Sequence, residues 1–103
     1  MFKLIYFVPS EALELTKQAV FEVGAGRLGH YEQCAWQTLG MGQFKPCVGS
    51  QPYIGQQDLL ERVEEYRVEV LVEQALIKQA VGALKATHPY EEPAYEVVKL
   101  ERY

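Results

Sequence analysis

Cysteine, histidine and excess positive charge are all scarce in this sequence. Its 103 residues include two cysteines, Cys34 and Cys47. They are too few and too far apart for a disulfide framework or a zinc-finger pattern, so reduced thiols in a cytoplasmic protein are expected. Ten lysines and arginines stand against fourteen acids, a formal net charge of −4. That balance provides no broad basic surface for nucleic acid and no attraction to an anionic membrane. No stretch approaches the ~20 apolar residues of a membrane-spanning helix. The first apolar run, Phe2 to Val8, is one strand long and lacks the basic start and cleavage site of a signal peptide. His30 and His88 are the two histidines, and no serine is placed to join them in a nucleophile, base and orienter set. The chain therefore reads as a binding module more than as an enzyme.

Hydrophobic residues make up 49% of the chain, enough for the core of one domain spanning residues 1–103. A domain this small buries a limited fraction of its surface and gains from partners that cover more. Lys3 to Val8 alternates as a strand, with Phe2, Leu4, Tyr6 and Val8 on one face and Lys3, Ile5 and Phe7 on the other. Pro9 stops it, Ser10 is a suitable N-cap, and a helix is predicted over Glu11 to Val23, ended by Gly24. His30 to Thr38 is predicted as a second strand, Gly40 and Gly42 as a turn, and Met41 to Lys45 as a short returning strand. Pro46 to Asp58 is a loop. Val63 to Val72 is the clearest strand, followed by a helix over Glu73 to Thr87, a tight loop from His88 to Pro93, and a last strand from Ala94 to Leu100. Two βαβ halves, Lys3 to Trp36 and Arg67 to Val98, joined by a hairpin-rich middle, predict an α+β, ferredoxin-like split βαβ fold: an antiparallel sheet with two helices on one face. Its other face would carry Ile5 and Phe7, with Trp36 as a candidate to join them, an apolar surface that a second copy of the chain would cover.

Three segments carry candidate chemistry. Gly24 to Gly29 matches G-x-G-x-x-G, but it follows a helix and precedes a strand, the inverse of a dinucleotide-binding turn. A helix cap and a close backbone turn account for these glycines better. His30, Glu32 and Cys34 share one face of the predicted strand and could converge on zinc or copper; Cys34 as a small buried hydrophobe is the simpler reading. In His88-Pro89-Tyr90-Glu91-Glu92-Pro93 the prolines fix the backbone, so His88, Glu91 and Glu92 are presented rigidly, as metal ligands or as an acid–base set. The structural alternative has His88 at the helix C-terminus and the prolines shaping entry into the last strand. The charged series Glu61, Glu64, Glu65, Glu69 and Glu73, with Arg62 and Arg67, reads as a solvated strand face.

Taken in order, Gly26 to Cys34 (G-R-L-G-H-Y-E-Q-C), Gly40 to Pro46 (G-M-G-Q-F-K-P), Gly49 to Gly55 and His88 to Tyr95 (H-P-Y-E-E-P-A-Y) resemble the domain inserted in YqfO-type members of the NGG-interacting-factor (Nif-type) family. The ending is also similar to CutA, the divalent-cation-tolerance protein related to PII signalling proteins. The resemblance implies a PII/CutA-like domain and a homo-oligomer, a trimer with sheets facing its centre, with a dimer as the alternative. The matching positions are Gly29, His30, Tyr31, Cys34, Gly42, Phe44, Pro46, Gly55, His88, Pro89, Tyr90, Glu91 and Pro93. Of these, Gly29, His30, Tyr31, Gly42, Phe44, His88, Tyr90 and Glu91, with Lys45 beside them, are the candidates for binding a small ligand or a protein partner. His30, Cys34, His88, Glu91 and Glu92 are the candidates for a divalent metal, zinc or copper. The dimetal centre of the longer family members lies outside the matching segments and is not expected from His30 and His88. The implied function is a self-associating binding or regulatory module; a CutA-like metal-binding protein and a small acid–base enzyme using His88 are the alternatives.

Overall fold

The computed structural model describes residues 1–103. Strand β1 (Phe2–Pro9) leads through a 3-10 turn (Ser10–Ala12) into helix α1 (Leu13–Val23). Strands β2 (Trp36–Phe44) and β3 (Glu61–Val72) follow. A second 3-10 turn (Gln74–Leu76) opens helix α2 (Ile77–Thr87), and β4 (Tyr95–Lys99) closes the domain. The four strands form one sheet in the order β2-β3-β1-β4, with every neighbouring pair antiparallel. This is the split βαβ arrangement the element pattern predicts: each βαβ crossover skips one strand, and the partner half fills the gap.

Strand alternation sets the core. Leu4, Tyr6 and Val8 of β1 and Val68, Val70 and Val72 of β3 are buried in one cluster with Leu13 and Val20 of α1 and Ala80 and Leu84 of α2. Burying each of the valine and leucine side chains among them stabilises the fold by about 1.5–3 kcal/mol before entropy is counted. Tyr6 brings a hydroxyl into this core. It donates to Thr16 Oγ1 at 3.0 Å, and Thr16 donates in turn to the Ala12 carbonyl at 2.9 Å. Burial pushes the Tyr6 phenol up to about 12. Gly24 ends α1 in the left-handed region (φ 108°), which a residue without a Cβ adopts at little cost. Ser10 makes no capping hydrogen bond, because the 3-10 turn places it inside the first turn instead of before it.

The middle of the chain differs from its sequence-based reading. His30 to Ala35 is not a strand, and Gly40 and Gly42 do not form a turn. Trp36 to Phe44 is one uninterrupted strand paired with β3 from Glu69 to Glu61. Gly42 lies where the Glu65 side chain leans across the sheet, so that a Cβ there would collide with the carboxylate. The glycine is selected for close approach within a strand, not for a change of direction. Upstream, positive φ at Gly26, Gly29 and Gln33 breaks any extended run. The open sheet face is also less apolar than expected. Ile5 is only 6% exposed there, flanked in register by Glu69 and Glu96. Phe7 lies under the Arg67 guanidinium, 5.8 Å from the ring centre. Lys3 and Arg67 both bond Glu69, at 3.1 and 3.2 Å, and this pairing holds the Glu69 carboxyl below its ordinary value, with the Lys3 hydrogen bond as the largest cause. Trp36 (57% exposed) and Val98 (41%) remain the open apolar groups of that face.

Candidate functional site

The predicted candidates separate into two regions at opposite ends of the sheet. Gly29, His30 and Tyr31 occupy the tip of a loop whose base is tied to β3 where Gly26 N–H donates to the Leu71 carbonyl at 2.7 Å. The tip is a two-residue turn. Leu28 and Tyr31 exchange backbone hydrogen bonds at 2.9 Å around Gly29 and His30, with glycine at positive φ in the first central position, as tight hairpin turns require. All three tip residues are exposed. Cys34 closes the loop through its N–H to the Gly26 carbonyl, and its thiol lies beside the Glu32 carbonyl at 3.9 Å. His30, Glu32 and Cys34 therefore sit on a turn-rich segment, not on the strand face assumed for a metal trio. No three His, Cys, Asp or Glu side chains of the chain are grouped so as to hold a metal ion.

The other region is built by the segment from His88 to Ala94. His88 ends α2, where its N–H donates to the Leu84 carbonyl, and its ring is buried. Nε2 lies 2.7 Å from the Phe7 carbonyl, and Nδ1 accepts the Tyr90 N–H at 3.1 Å. A nitrogen that accepts has no proton, so the ring is the Nε2–H tautomer. Burial, the dominant cause, holds its pKa below 6.5. Both ring nitrogens are thus engaged, which leaves neither a lone pair for a metal nor a site for proton transfer in this arrangement. His88 pins the loop, as in the structural alternative drawn from the sequence.

Tyr90 is the side chain this loop presents. Its ring lies against His88, Tyr53 and Phe44, with centres 4.9, 6.1 and 6.3 Å away. Its hydroxyl donates to Glu65 Oε2 at 3.2 Å. Burial first, and the Glu65 carboxylate second, push the phenol well above its ordinary range. Glu91 accepts the Gln51 N–H on both carboxylate oxygens at 3.2 Å, which ties the His88 loop to the Pro46–Asp58 loop. That second loop is closed by Asp58 N–H donating to the Pro46 carbonyl at 2.6 Å.

These ties enclose a cleft of about 370 Å³ between Gln43–Cys47, Ser50–Ile54 and Tyr90–Ala94, with Phe7 and Glu65 of the open sheet face completing its wall. The volume falls in the range of small-molecule sites. Phe44, Lys45, Tyr90, Glu91 and Glu92 line it. Gly42 lines a second pocket of about 330 Å³, which shares Phe7 and Glu65 with the cleft. Sequence reasoning missed Glu65, Tyr53 and Phe7. Glu65 was grouped with its neighbours as solvated, yet alternation puts it on the same face as Phe7 and Glu69, the one signal that could have separated it from Glu64.

No family model matches the chain. Similar proteins are nonetheless numerous. The chain is 40% identical over 100 residues to a GTP cyclohydrolase 1 type 2 homolog from Halalkalibacterium halodurans, covering 97% of itself and 27% of that protein. It is 43% identical over 98 residues to the protein of the same name from Mycobacterium tuberculosis, covering 95% of itself and 26% of the relative. The chain thus spans about a quarter of the length of these relatives. Among solved structures, a Bacillus cereus protein related to NIF3 superposes with a TM-score of 0.84 at 37% identity, over 98% of this chain and 26% of that one. CutA1 from Pyrococcus horikoshii superposes with a TM-score of 0.72 at 14% identity, over 100% of this chain and 86% of that one; at that identity the likeness is one of fold. No helix of the chain is long and apolar enough to cross a membrane. Along nearly its whole length the chain is similar to one domain-sized segment of the NIF3-related GTP cyclohydrolase 1 type 2 homologs, and that segment has the CutA fold.

Proposed function

We propose that this chain is a self-associating binding module whose ligand site is the cleft at the Tyr90 end of the sheet. The observation that carries the reading is the construction of that cleft. Two loops far apart in sequence are tied together by Glu91 on the Gln51 N–H, Tyr90 is anchored to Glu65 of β3, and an aromatic-walled space is left between them. Concave, largely apolar spaces with a few placed polar groups are where small molecules bind. Self-association is supported by strand β2, at the edge of the sheet. Its nine residues include no charged residue and no proline, the devices that normally protect an edge from pairing, and Trp36, Leu39 and Met41 are exposed along it. The trimer implied by the family resemblance would cover such an edge, as would a dimer or a partner protein, and cytoplasmic placement belongs to the same reading.

Thermal unfolding of the chelator-treated protein against nucleotides, metabolites and divalent metals tests the ligand site. A ligand that binds only the folded state, at a hundredfold excess over its Kd, stabilises by about 2.7 kcal/mol. The expected result is a saturable rise in Tm that Phe44→Ala weakens. Sedimentation at micromolar concentration tests assembly, and a monomer there removes it. The divalent-metal alternative draws on His30, Cys34, Glu91 and Glu92; His88 contributes nothing to it while both ring nitrogens are engaged. The two loops join β3 at Leu71 and near Glu65, about 20 Å apart along the strand, so a site would take ligands from two copies. A zinc- or copper-dependent rise in Tm lost in Cys34→Ser would favour it. An acid–base activity would need His88 released from Phe7, and has the least support.

A further inference from the structure

The cleft has a chemical character that narrows what it takes. Its walls are aromatic, with Phe7, Phe44, Tyr53 and Tyr90 lining one space. Its charged lining is Glu65, Glu91 and Glu92 against the single cation Lys45, two more negative charges than positive ones. Tyr90 stays protonated, since its phenol is held well above the ordinary range, so this ring presents a neutral π face beside the carboxylates. Two of the acids already accept hydrogen bonds, Glu65 from Tyr90 and Glu91 from Gln51. Glu92 is exposed and has no partner within the chain among the hydrogen bonds and ion pairs. Arg67, a further cation of the open sheet face, is spent on Glu69 and on the Phe7 ring.

An anionic ligand would meet three carboxylates and one lysine. A neutral one would leave the carboxylates uncompensated as water is displaced, a cost that grows with burial. A cation gains twice, from the ring quadrupoles and from the carboxylates. We propose that the cleft binds a small organic cation, an ammonium or guanidinium group on a short apolar body, seated against the Tyr53 and Tyr90 rings with Glu92 as counter-charge. Lys45, exposed in the segment leaving β2, would stand aside from the cation at the rim or face an anionic tail of the same molecule. This inference rests on the cleft being the ligand site.

The test uses the full chain and probes of each charge class, measured by calorimetric titration. The cations are choline, agmatine and putrescine; the neutral set contains 3,3-dimethylbutan-1-ol, the uncharged isostere of choline; the anions are citrate, ATP and inorganic phosphate. At least one cation should bind saturably at one per chain, with choline at least about tenfold tighter than its neutral isostere. Tyr53→Leu keeps an apolar wall but removes the π face, and should weaken the cation about fivefold or more while moving the neutral isostere less than about twofold. Glu92→Gln should also weaken the cation. Tyr53 and Glu92 are exposed, so neither variant threatens the fold, and unchanged denaturation profiles verify this. Tighter binding of a neutral or anionic probe in the cleft, lost in Phe44→Ala, would overturn the cationic class and leave the cleft as the ligand site. Absence of saturable binding by all three classes would overturn both.

Discussion

The two loop regions that flank the sheet are held in opposite ways. At the Leu71 end, the Gly26–Cys34 loop is shaped by its backbone. Gly26 bonds both Leu71 and Cys34, Leu28 pairs with Tyr31, and glycines take up the positive φ values. Its side chains are left over: Tyr31 is 74% exposed, and Arg27 and Glu32 form an exposed 3.8 Å pair of the kind that contributes little. At the other end the His88–Pro93 loop is shaped by its side chains. His88, Tyr90 and Glu91 each reach a different element. A backbone-built loop offers its side chains to a partner, whereas a side-chain-built loop spends them on making a cavity. Loops so similar in motif content can therefore differ in kind.

Substitutions can break this contrast where it is strongest. Gly26→Ala should be among the most damaging. The position has φ +80°, and an added Cβ would meet the Cys34 carbonyl and the Phe21 ring at 2.9 Å. Left-handed strain and a clash with backbone together should cost about 2–4 kcal/mol, measured by urea unfolding. At the opposite end a side-chain deletion should do comparable damage. His88→Ala leaves the Phe7 carbonyl and Tyr90 N–H without their partner, and should cost about 2–3 kcal/mol.

His88 also gives the fold a pH dependence. Its folded pKa lies below its ordinary 6.5 because burial disfavours the charged ring. As pH falls through about 6.5, the unfolded chain takes up a proton before the folded one does. The contribution of neutral His88 is thus fully present above that value and is lost as pH falls toward the folded pKa. Urea midpoints at about pH 5.5 and about pH 7.5 should differ in the wild type, and His88→Gln should remove part of that difference.

A smaller effect is expected from Tyr90→Phe, which keeps the ring packing but deletes the hydrogen bond to Glu65. A loss of about 1–2 kcal/mol, with the cleft more mobile by hydrogen exchange at Gln51, would fit. The least effect belongs to the loop tip. His30→Ala and Tyr31→Ala should change stability by less than about 0.5 kcal/mol, since both side chains are exposed. If these two instead weaken self-association or partner capture at unchanged stability, the contrast sharpens: one loop would serve recognition and the other would build the ligand site. A stability loss at Tyr31 as large as that at His88 would erase it.

Much of this was legible from residue order. The alternation Leu4-Tyr6-Val8 and Val68-Val70-Val72 names the buried face of the two central strands, and Gly24 marks the end of α1, because local periodicity and the left-handed cap are properties of the chain itself. The start of β2 and its continuity through the glycines were not legible. Gly40 and Gly42 signal a turn in isolation, and only pairing with β3, with Glu65 leaning over Gly42, makes them strand. His30 to Ala35 failed for the converse reason: its alternation suits a strand, but the Gly26–Leu71 and Cys34–Gly26 bonds commit it to a loop.

The sequence by itself determined the two helices and their flanking strands, the faces of β1 and β3, the rigid path through Pro89 and Pro93, and hence the split βαβ fold, since each follows from neighbours within a few residues. Only the tertiary structure decided which motif residues meet. Tyr90 reaches Glu65 and Glu91 reaches Gln51 across separations of 25 and 40 residues, and His88 turns inward to the Phe7 carbonyl, 81 residues away. Such partners are selected by strand register and burial, which no local pattern encodes.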